Sequence, residues 1–474
     1  AGETYRDGIK IDVSKYPSTK ILLSPRIGFN FKPLDDASLQ FRGGPGIFAG
    51  TPPYVWLSNQ AGNNGVLFGD LNVRGADLAT MGFTGDINSY KPASGTPPRG
   101  DIAITDPDFK YPTLWKTNLA ADYRFLDGWI ATIEFLHSKD LNAIYHDNIG
   151  IIRTTNFVND GSGENVRPVY AGYYSDEVGN DKAAYNVVML RNTDKGYSWF
   201  TTLQLQKNFN DGVLKGLNMN GSYTFGKAKA VTDGTSSVAT SAWKYRPALD
   251  PNSQELGYSA GSMDGRLLLS ASYTADWGKN SSTSLGLIYQ RYRPFRYTYA
   301  YNGDANGDTQ TANDLIYIPN SLSEISANLD PKGFTNQQEA WEALDAFISQ
   351  DPYLKGRRGK FAERNGAAAP FANQLDLSVN HDIRIYQVNE KYHTLRLSFN
   401  IANFLNLLNK DWGVQQTTVL GNQQYQFLKV EQKPTAANNY TLRYSMNNNL
   451  PETFKDYLGN DSRWQMQFGI KYIF

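Results

Sequence analysis

Apolar and polar residues alternate along the C-terminal end of the chain, from Arg463 to Phe474. Every second position carries a large apolar side chain, in the order Trp464, Met466, Phe468, Ile470, Tyr472 and Phe474. Side chains on a β-strand point alternately to its two faces, so this pattern predicts a strand with one apolar and one mainly polar face. Aromatic residues near the strand ends and an apolar middle favour a lipid-facing strand over a strand of a soluble sandwich.

The same alternation recurs along the chain and predicts about eleven strands, each roughly 10–13 residues long. Strands of this length, tilted by about 40°, span the hydrocarbon layer of a bilayer. Gly43, Gly44 and Pro45 interrupt the second apolar row and weaken the first strand pair. The apolar rows that precede the C-terminal one lie at Ile27–Phe31, Leu39–Phe41, Trp115–Tyr123, Trp129–Phe135, Trp199–Leu205, Leu217–Phe225, Leu267–Trp277, Leu285–Tyr289, Leu375–Val379 and Leu395–Ile401.

Short and long connections alternate between these strands. The short connections lie near 32–38, 126–128, 209–216, 278–280 and 385–392. The long connections lie near 50–113, 142–195, 228–264, 293–372 and 404–462. Outer-membrane barrels are built in this way, with short periplasmic turns and longer extracellular loops. Nothing in the architecture of sandwiches or propellers requires short and long connections to alternate. The pattern therefore predicts an all-β protein, a segment of a transmembrane antiparallel β-barrel with long extracellular loops.

An odd number of strands places the two ends of the chain on opposite sides of the membrane. A bacterial single-chain barrel has an even number of strands and no open edge, because an open edge in lipid leaves backbone groups without hydrogen-bond partners. We therefore interpret the chain as about 11 of about 22 strands, the number found in plugged outer-membrane transporters. A missing N-terminal half or another chain would close the barrel.

The composition agrees with this interpretation and disfavours several other classes. Aromatic residues make up 13% of the chain although its mean hydropathy is −0.50, as expected when apolar strand positions are diluted by polar lumen residues and loops. No apolar run is long enough to predict a membrane helix. Equal numbers of basic and acidic residues, 46 of each, give no overall field for nucleic acid, and there is no cysteine for disulfides or thiol chemistry. The opening AGETYRDGIK lacks the basic start and apolar core of a signal peptide.

The alternation also assigns residues of the last strands to two faces. We predict that the membrane-facing residues include Leu395, Leu397, Phe399, Trp464, Phe468, Tyr472 and Phe474. We predict that the lumen-lining residues include Asp376, Arg396, Gln465, Gln467 and Lys471. In a complete transporter such lumen residues would contact a plug, and contact with the substrate is the alternative.

One loop has the spacing of a calcium site. Asp304, Asn306, Asp308 and Gln310 occupy positions 1, 3, 5 and 7 of a short segment, and Asp314 follows. Oxygen ligands at this spacing suit Ca²⁺, although the EF-hand pattern requires Gly and Glu where this chain has Thr309 and Leu315. The hypothesis is a calcium ion that stiffens the loop, and the alternative is an Asx-rich turn without metal. No other cofactor is expected.

Basic and aromatic residues are interleaved from Arg291 to Tyr301. Aromatic faces can stack on sugars, peptides or bases, so Phe295, Tyr297, Tyr299 and Tyr301 are candidate ligand contacts. The alternative is an interfacial aromatic belt that continues into an extracellular strand.

The segment 335–350 predicts the one short loop helix. Thr335 and Gln338 have the spacing of a capping box, and one side of the helix is apolar. We expect this apolar side to pack against neighbouring loops.

Catalysis is not expected. The segment Gly257–Gly261 matches G-x-S-x-G, but a nucleophile elbow requires a strand before it and a helix after it. The pattern around this segment predicts neither, and none of the four histidines has a recognisable triad context.

Several segments resemble TonB-dependent outer-membrane receptors of the Oar-like type, typical of Bacteroidota. They are Leu23–Asn30 (LSPRIGFN), Leu39–Gly44 (LQFRGG), Thr51–Trp56 (TPPYVW), Asn313–Pro319 (NDLIYIP), Arg364–Gly366 (RNG), Asn400–Asn409 (NIANFLNLLN) and the terminal Phe474. The resemblance covers nearly all of the chain and corresponds to the C-terminal barrel half of such a receptor. It implies that residues 1–474 lack the plug and the first half of the barrel.

The resemblance also implies an outer-membrane transporter whose loops bind an unknown extracellular ligand. Its partners would be the TonB complex and the lipids of the outer membrane, and no nucleic acid. Trp56 is a further candidate ligand contact. A passive porin or a scaffold barrel in a surface complex is one alternative, and a soluble secreted glycan-binding β-protein is another.

Overall fold

The computed structural model of the protein describes residues 5–64, 82, 84–90, 100–126, 128–174, 186–388, 391–421, 424–447 and 452–474. Strands dominate it. They are β1 Phe29–Phe31, β2 Leu39–Ala49, β3 Ile102–Thr105, β4 Thr113–Phe125, β5 Trp129–Asp140, β6 Ala143–Asn148, β7 Ile151–Phe157, β8 Pro168–Tyr173, β9 Val187–Thr193, β10 Tyr197–Asn208, β11 Leu217–Ala230, β12 Gly257–Tyr258, β13 Arg266–Asp276, β14 Ser281–Tyr292, β15 Arg296–Asn302, β16 Tyr317–Ile318, β17 Leu329–Asp330, β18 Lys360–Phe361, β19 Ala367–Ala368, β20 Ala372–Val388, β21 Lys391–Ala402, β22 Gln416–Thr418, β23 Gln424–Gln432, β24 Arg443–Met446, β25 Phe454–Asp456 and β26 Gln465–Ile473.

The helices of the described residues are short. The α-helices are α1 Tyr54–Gly62, α2 Ala239–Lys244, α3 Leu322–Ile325, α4 Gln337–Gln350, α5 Pro352–Lys355 and α6 Phe404–Leu408. Turns of 3₁₀ helix lie at Arg6–Gly8, Ile87–Tyr90, Ala436–Asn438 and Asn460–Ser462. None of the helices in this part of the chain is both long and apolar enough to cross a membrane.

Eleven strands form the main sheet, in which each strand pairs antiparallel with the next member along the chain. Their order is β1-β2-β4-β5-β10-β11-β13-β14-β20-β21-β26, and β12 adds a two-residue pair to β11. All the apolar rows of the sequence fall within or beside these strands, so the predicted all-β fold class is confirmed. Within the described residues β1 and β26 do not pair with each other, and the sheet is open. A total of about 22 strands stays a prediction.

The first strand pair is interrupted at Gly44 and Pro45. A Cβ atom on Gly44 would lie 2.0 Å from the carbonyl oxygen of Ile27, so only glycine permits this approach of the two backbones. Pro45 has no N–H to donate to the ladder, although its carbonyl oxygen accepts from the Ile27 N–H at 3.1 Å. These two residues explain why β1 spans only Phe29–Phe31.

The main sheet has one apolar and one polar face. Phe399 lies directly opposite Phe468, and Leu395 lies opposite Tyr472, so apolar rows of neighbouring strands are in register. Phe468 is 66% exposed, as expected for a side chain on a lipid-facing surface. The predicted membrane-facing residues Leu395, Leu397, Phe399, Phe468 and Tyr472 share this face, and the exposed Trp464 and Phe474 flank β26. Their contact with lipid stays a prediction.

The long connections fold into a packed unit at one end of the main sheet. We call the described residues of 143–193, 231–262, 294–369 and 416–456 the loop body. It contains a five-stranded sheet of order β17-β24-β23-β15-β19 and smaller sheets such as β7-β8. Its largest core includes fully buried Tyr297, Tyr299, Tyr425, Phe427 and Tyr444. The described segments of these loops therefore share a packed core of their own.

Helix α4 confirms the helix predicted at 335–350 and corrects its start, but it is not the one loop helix, because short helices such as α1 and α2 also lie in the connections. The capping residue is Asn336, whose side chain accepts from the Glu339 N–H at 3.0 Å, while Glu339 accepts from the Thr335 N–H at 2.7 Å. The cap is thus one residue later than the predicted Thr335 and Gln338 pair, and it is not a full capping box, because Glu339 accepts from the N–H of Thr335 and not from that of Asn336. The buried residues of the helix are Ala340, Leu344, Phe347 and Ile348, which join the core of the loop body as expected.

Candidate functional site: a polar sheet face and a buried carboxylate cluster

The polar face of the main sheet carries a concavity of about 470 Å³ between β10 and β21. Amide and hydroxyl groups dominate its polar lining, which consists of Gln206, Asn208, Asn218, Asn220, Ser270, Ser272, Asp376, Ser378 and Asn400. Such groups both donate and accept hydrogen bonds, and Asp376 is the one charged side chain among them. This surface can hydrogen-bond to a polar solute or to another polar protein surface.

Cross-strand hydrogen bonds hold these side chains in place. Ser378 Oγ donates to Asn400 Oδ1 over 2.7 Å, and Ser398 Oγ donates to Asn380 Oδ1 over 2.8 Å. Asp376 Oδ1 accepts from the backbone N–H of Asn403 at 2.8 Å. The polar face is therefore an ordered array of hydrogen-bonding groups.

The predicted lumen residues share this polar face. Arg396 forms a two-pronged ion pair with Asp382, with Nε–Oδ1 and Nη2–Oδ2 distances of 2.6 and 2.7 Å. Lys471 lies opposite Arg396 on β26, and Gln467 lies opposite Asn400. Gln465 occupies the same row, and Asp376 lines the concavity. Their role in a closed lumen stays a prediction.

Tyr297, Tyr299 and Tyr301 lie in the core of the loop body, so their predicted ligand-binding role is corrected to a packing role, whereas ligand contact by Phe295 stays a prediction. Tyr297, Tyr299 and Tyr301 are at most 1% exposed, and Phe295 is partly buried against the same core. The reason is that β15 lies inside the five-stranded sheet, between β23 and β19. The hydroxyl of Tyr299 donates to the buried carboxylate of Asp351 at 2.6 Å.

Trp56, the other ligand candidate, lies on α1 and connects two parts of the structure. Its indole N–H donates to the carbonyl oxygen of Ser236 at 2.8 Å, and its ring meets His146 edge-on at 5.3 Å. The side chain is half-buried. These contacts give Trp56 a packing role, and contact with a ligand stays a prediction.

Three of the predicted calcium ligands converge in the loop body. One carboxylate oxygen from each of Asp304, Asp308 and Asp314 lies within 4.8 Å of the other two, and all three residues are buried. Asn306 is also fully buried beside them, and its Oδ1 accepts from the Asp308 N–H at 2.9 Å. Gln310 is half-buried and its side-chain amide donates to Thr309 Oγ1 at 2.9 Å, so its role as a ligand stays a prediction.

The loop shares two features with a calcium loop although its sequence departs from the EF-hand pattern. Thr309 stands where that pattern has glycine, and it adopts the left-handed conformation with φ 72°. Its N–H donates to Asp304 Oδ2 at 3.1 Å, which holds the loop closed despite the strain on a β-branched residue. The EF-hand pattern has Glu at the position of Leu315. Here the carboxylate of Asp314, one residue earlier, lies beside those of Asp304 and Asp308 instead.

Residues distant in sequence complete the surroundings of the cluster. Arg167, which is fully buried, donates from Nη1 to Asp314 Oδ1 at 3.0 Å and from Nε to Asp160 Oδ2 at 3.4 Å. Lys433 Nζ lies 2.7 Å from Asp304 Oδ2. Sequence reasoning missed these partners, because no local pattern relates them to the loop.

Burial and mutual repulsion act on the carboxylates. Burial raises the pKa of the Asp308 carboxyl well above its usual range, and the nearby charges of Asp314 and Asp304 raise it further. Burial also raises the pKa of Asp314 to about 6, against the opposing effect of Arg167. The protein thus holds acidic groups close together at a free-energy cost.

The comparison with protein families identifies the fold. Residues 7–426 match the family described as outer membrane beta barrel domain. The chain belongs to this family. No curated protein has a matching sequence. Membership makes the protein an outer-membrane protein, which sets aside the soluble glycan-binding alternative.

Solved outer-membrane proteins share only remote similarity with this family member. A mutant of the ferric enterobactin receptor from Pseudomonas aeruginosa has 10% identity and a TM-score of 0.37, over 84% of this chain and 36% of that chain. The same receptor in complex with BCV-L6 has 9% identity and a TM-score of 0.37, over 80% and 34%. The Pseudomonas putida protein OprB has 11% identity and a TM-score of 0.25, over 80% and 53%. The chain thus spans just over a third of the length of the enterobactin receptor.

Proposed function

We propose that the protein is a TonB-dependent receptor of the outer membrane, which binds a ligand with its loop body and passes it along the polar face of the sheet. The observation that carries the proposal is the two-faced main sheet, apolar on one side and lined by ordered amide and hydroxyl groups on the other. A polar lumen of this kind suits the passage of a polar ligand or the docking of a plug.

The loop body supports receptor function over a plain pore. A folded platform with its own core, at one end of the sheet, can hold a binding surface in a fixed shape, whereas a simple pore needs no such platform. Coupling to TonB, an upstream plug and membership of the Oar-like type of Bacteroidota rest on the sequence resemblance. The proposed transport involves no chemistry on the ligand, so the protein is proposed not to be an enzyme.

The orientation in the membrane is the first test. The chain has no cysteine, so a single introduced cysteine can be labelled specifically. On intact cells, a membrane-impermeant maleimide should label Glu342→Cys, on the exposed side of α4, and leave Asp211→Cys, in the short β10–β11 turn, unlabelled. After lysis both variants should react. Labelling of Asp211→Cys alone on intact cells would contradict the proposed orientation.

Permeability separates a gated receptor from a passive porin. The native protein, purified at its natural length from its own outer membrane, would be reconstituted in liposomes and exposed to arabinose. A plug-gated receptor should leave the liposomes closed, and it should bind the C-terminal domain of TonB from the same cells. Free swelling of the liposomes in arabinose, without binding of TonB, would favour the porin alternative.

A further inference from the structure

We propose that Asp304, Asp308 and Asp314, together with the side-chain oxygen of Asn313, bind a divalent cation, for which Ca²⁺ is the best match. The site is distinct from the polar sheet face and lies inside the loop body. Its role would be to hold connected loops together, independently of what the protein transports.

The charge balance of the cluster is the first argument. Four buried carboxylates, from Asp160, Asp304, Asp308 and Asp314, meet two cationic side chains. Arg167 pairs with Asp160 and Asp314, and Lys433 pairs with Asp304, whereas Asp308 has no ion-pair partner among the described residues. When all four carboxylates are ionised, two negative charges are uncompensated, and burying an unpaired charge is costly. A divalent cation matches this deficit.

An unpartnered oxygen is the second and independent argument. Asn313 is 2% exposed, and its Nδ2 donates to Asp308 Oδ2 at 2.7 Å, which places the amide at the cluster. Its Oδ1 is buried and has no hydrogen-bond partner among the described residues. Buried polar groups are nearly always satisfied, and a cation or an ordered water can satisfy an acceptor that has no protein donor.

The donor set selects the type of cation. The cluster offers carboxylate and amide oxygens, and the described residues place no histidine among them, which favours Ca²⁺ or Mg²⁺ over zinc. Several protein oxygens on an irregular loop suit the flexible coordination of Ca²⁺, whereas Mg²⁺ requires near-ideal octahedral geometry and keeps several waters.

The position of the cluster shows what the cation would stabilise. The carbonyl oxygen of Asn306 accepts from the Tyr170 N–H at 2.7 Å, which joins the loop to β8. A Cβ on Gly307 would lie 2.3 Å from the Tyr170 carbonyl oxygen, so the two backbones are in direct contact. Arg167 belongs to the same connection as β8, and Lys433 brings in one further connection. A bound cation would therefore connect three of the long loops.

The test measures thermal unfolding of the whole protein in detergent after removal of metals with a chelator. Addition of CaCl₂ should raise the Tm by several degrees, because a ligand that binds only the folded state stabilises it. MgCl₂ at equal concentration should produce a smaller shift. The proposal is overturned if the chelated protein shows no shift with CaCl₂.

Asp308→Asn is the decisive variant, because it keeps the shape of the side chain and removes the one carboxylate without a cationic partner. Without Ca²⁺ it should unfold at the same or a higher temperature than the chelated wild type, since it relieves repulsion, and it should lose the Ca²⁺-dependent shift. Asp211→Asn, the same change at an exposed turn, should keep the shift. An unchanged Ca²⁺ shift in Asp308→Asn would overturn the proposal.

A direct binding measurement covers the case in which the variant does not fold. Tb³⁺ replaces Ca²⁺ at oxygen sites, and its luminescence is excited through nearby tyrosines. The wild-type protein should bind one Tb³⁺ that is displaced by Ca²⁺ more effectively than by Mg²⁺. Luminescence that Ca²⁺ does not displace would contradict the assignment.

Discussion

The guanidinium of Arg167 donates to the carboxylate of Asp314 over 3.0 Å, and both side chains are fully buried. The same guanidinium also donates to the carbonyl oxygen of Leu315 and pairs with Asp160. One cation thus anchors a connection before β8 to the loop that carries the carboxylate cluster.

We predict that Arg167→Met strongly destabilises the loop body. The substitution leaves Asp160 and Asp314 buried without their cation, and breaking a buried ion pair from one side costs about 3–5 kcal/mol. Thermal unfolding followed by tryptophan fluorescence would measure the loss. Arg443→Met is the matched control, since its pair with Asp330 is partly exposed and is worth about 0–1 kcal/mol. Equal effects of the two variants would contradict the prediction.

The buried tyrosines offer a second prediction. Asp351 accepts from the Tyr299 hydroxyl at 2.6 Å, from Thr453 Oγ1 at 2.9 Å and from two backbone N–H groups. Tyr299→Phe removes a hydrogen bond to a charged group and should cost about 1.5–3 kcal/mol.

Tyr444→Phe is the control for this prediction. Tyr444 is fully buried, but its hydroxyl has no hydrogen-bond partner among the described residues. Removing that hydroxyl should leave the Tm unchanged or raise it, because an unsatisfied polar group is lost. A larger loss of stability in Tyr444→Phe than in Tyr299→Phe would refute the assigned network.

His146 should make the loop body less stable in acid. It is 4% exposed, its Nε2 has no hydrogen-bond partner in the described residues, and burial together with the charge of Arg246 lowers its pKa to about 4. The unfolded chain, with a histidine pKa of about 6.5, binds the proton more readily than the folded chain. The penalty is absent above about pH 6.5, grows as the pH falls to about 4 and reaches about 3 kcal/mol at most.

The measurement compares the Tm of the wild type and His146→Phe from neutral pH to about pH 4.5. Phenylalanine keeps an aromatic ring against Trp56 and does not titrate. The wild type should lose stability more steeply than the variant over this range. Parallel curves would show that His146 does not contribute to the pH dependence.

Two neighbouring residues of β26 lie on opposite faces of the sheet, so the same substitution at each should have different effects on stability. Phe468→Lys places a charge on the apolar face, opposite Phe399, and should cost about 2–4 kcal/mol if that face meets the middle of the bilayer. Gln467→Lys places the same charge on the polar face and should cost much less. The folded fraction after insertion into lipid vesicles measures both effects. A polar-face variant that is as harmful as the apolar-face variant would contradict the assignment of the faces.

Gly44 gives a test of the first strand pair. Gly44→Ala would place a methyl group 2.0 Å from the Ile27 carbonyl oxygen, and relieving this clash should cost about 1–3 kcal/mol. Protease sensitivity of residues 21–31 should increase as β1 detaches from β2. In the control, Gly286→Ala, the nearest atom to the new methyl group is 3.8 Å away, so sensitivity should not change.

The main sheet was predictable from the sequence because the alternation that defines each strand can be read from neighbouring residues. A strand alternates its faces with period two, so Leu395, Arg396, Leu397 and their neighbours reveal both the strand and the side each residue occupies. The start of α4 was predicted one residue early, because Thr335 and Asn336 are both suitable caps and only the backbone path selects Asn336.

The loop body was beyond sequence reasoning because its contacts join distant segments. The alternating tyrosines of β15 indicated a strand with aromatic residues, but their burial depends on β23, which lies more than a hundred residues later. Their role therefore changed from ligand contact to core packing.

By itself, the sequence determined the strands of the main sheet, their two faces and the spacing of Asp304, Asp308 and Asp314, since each of these depends only on residues close together in the chain. Only the tertiary structure decided that these carboxylates are buried, that Asn313 joins them, and that Arg167 and Lys433 partly neutralise them. The physical reason is that burial and charge balance depend on every segment that packs around a group, whatever its distance along the chain.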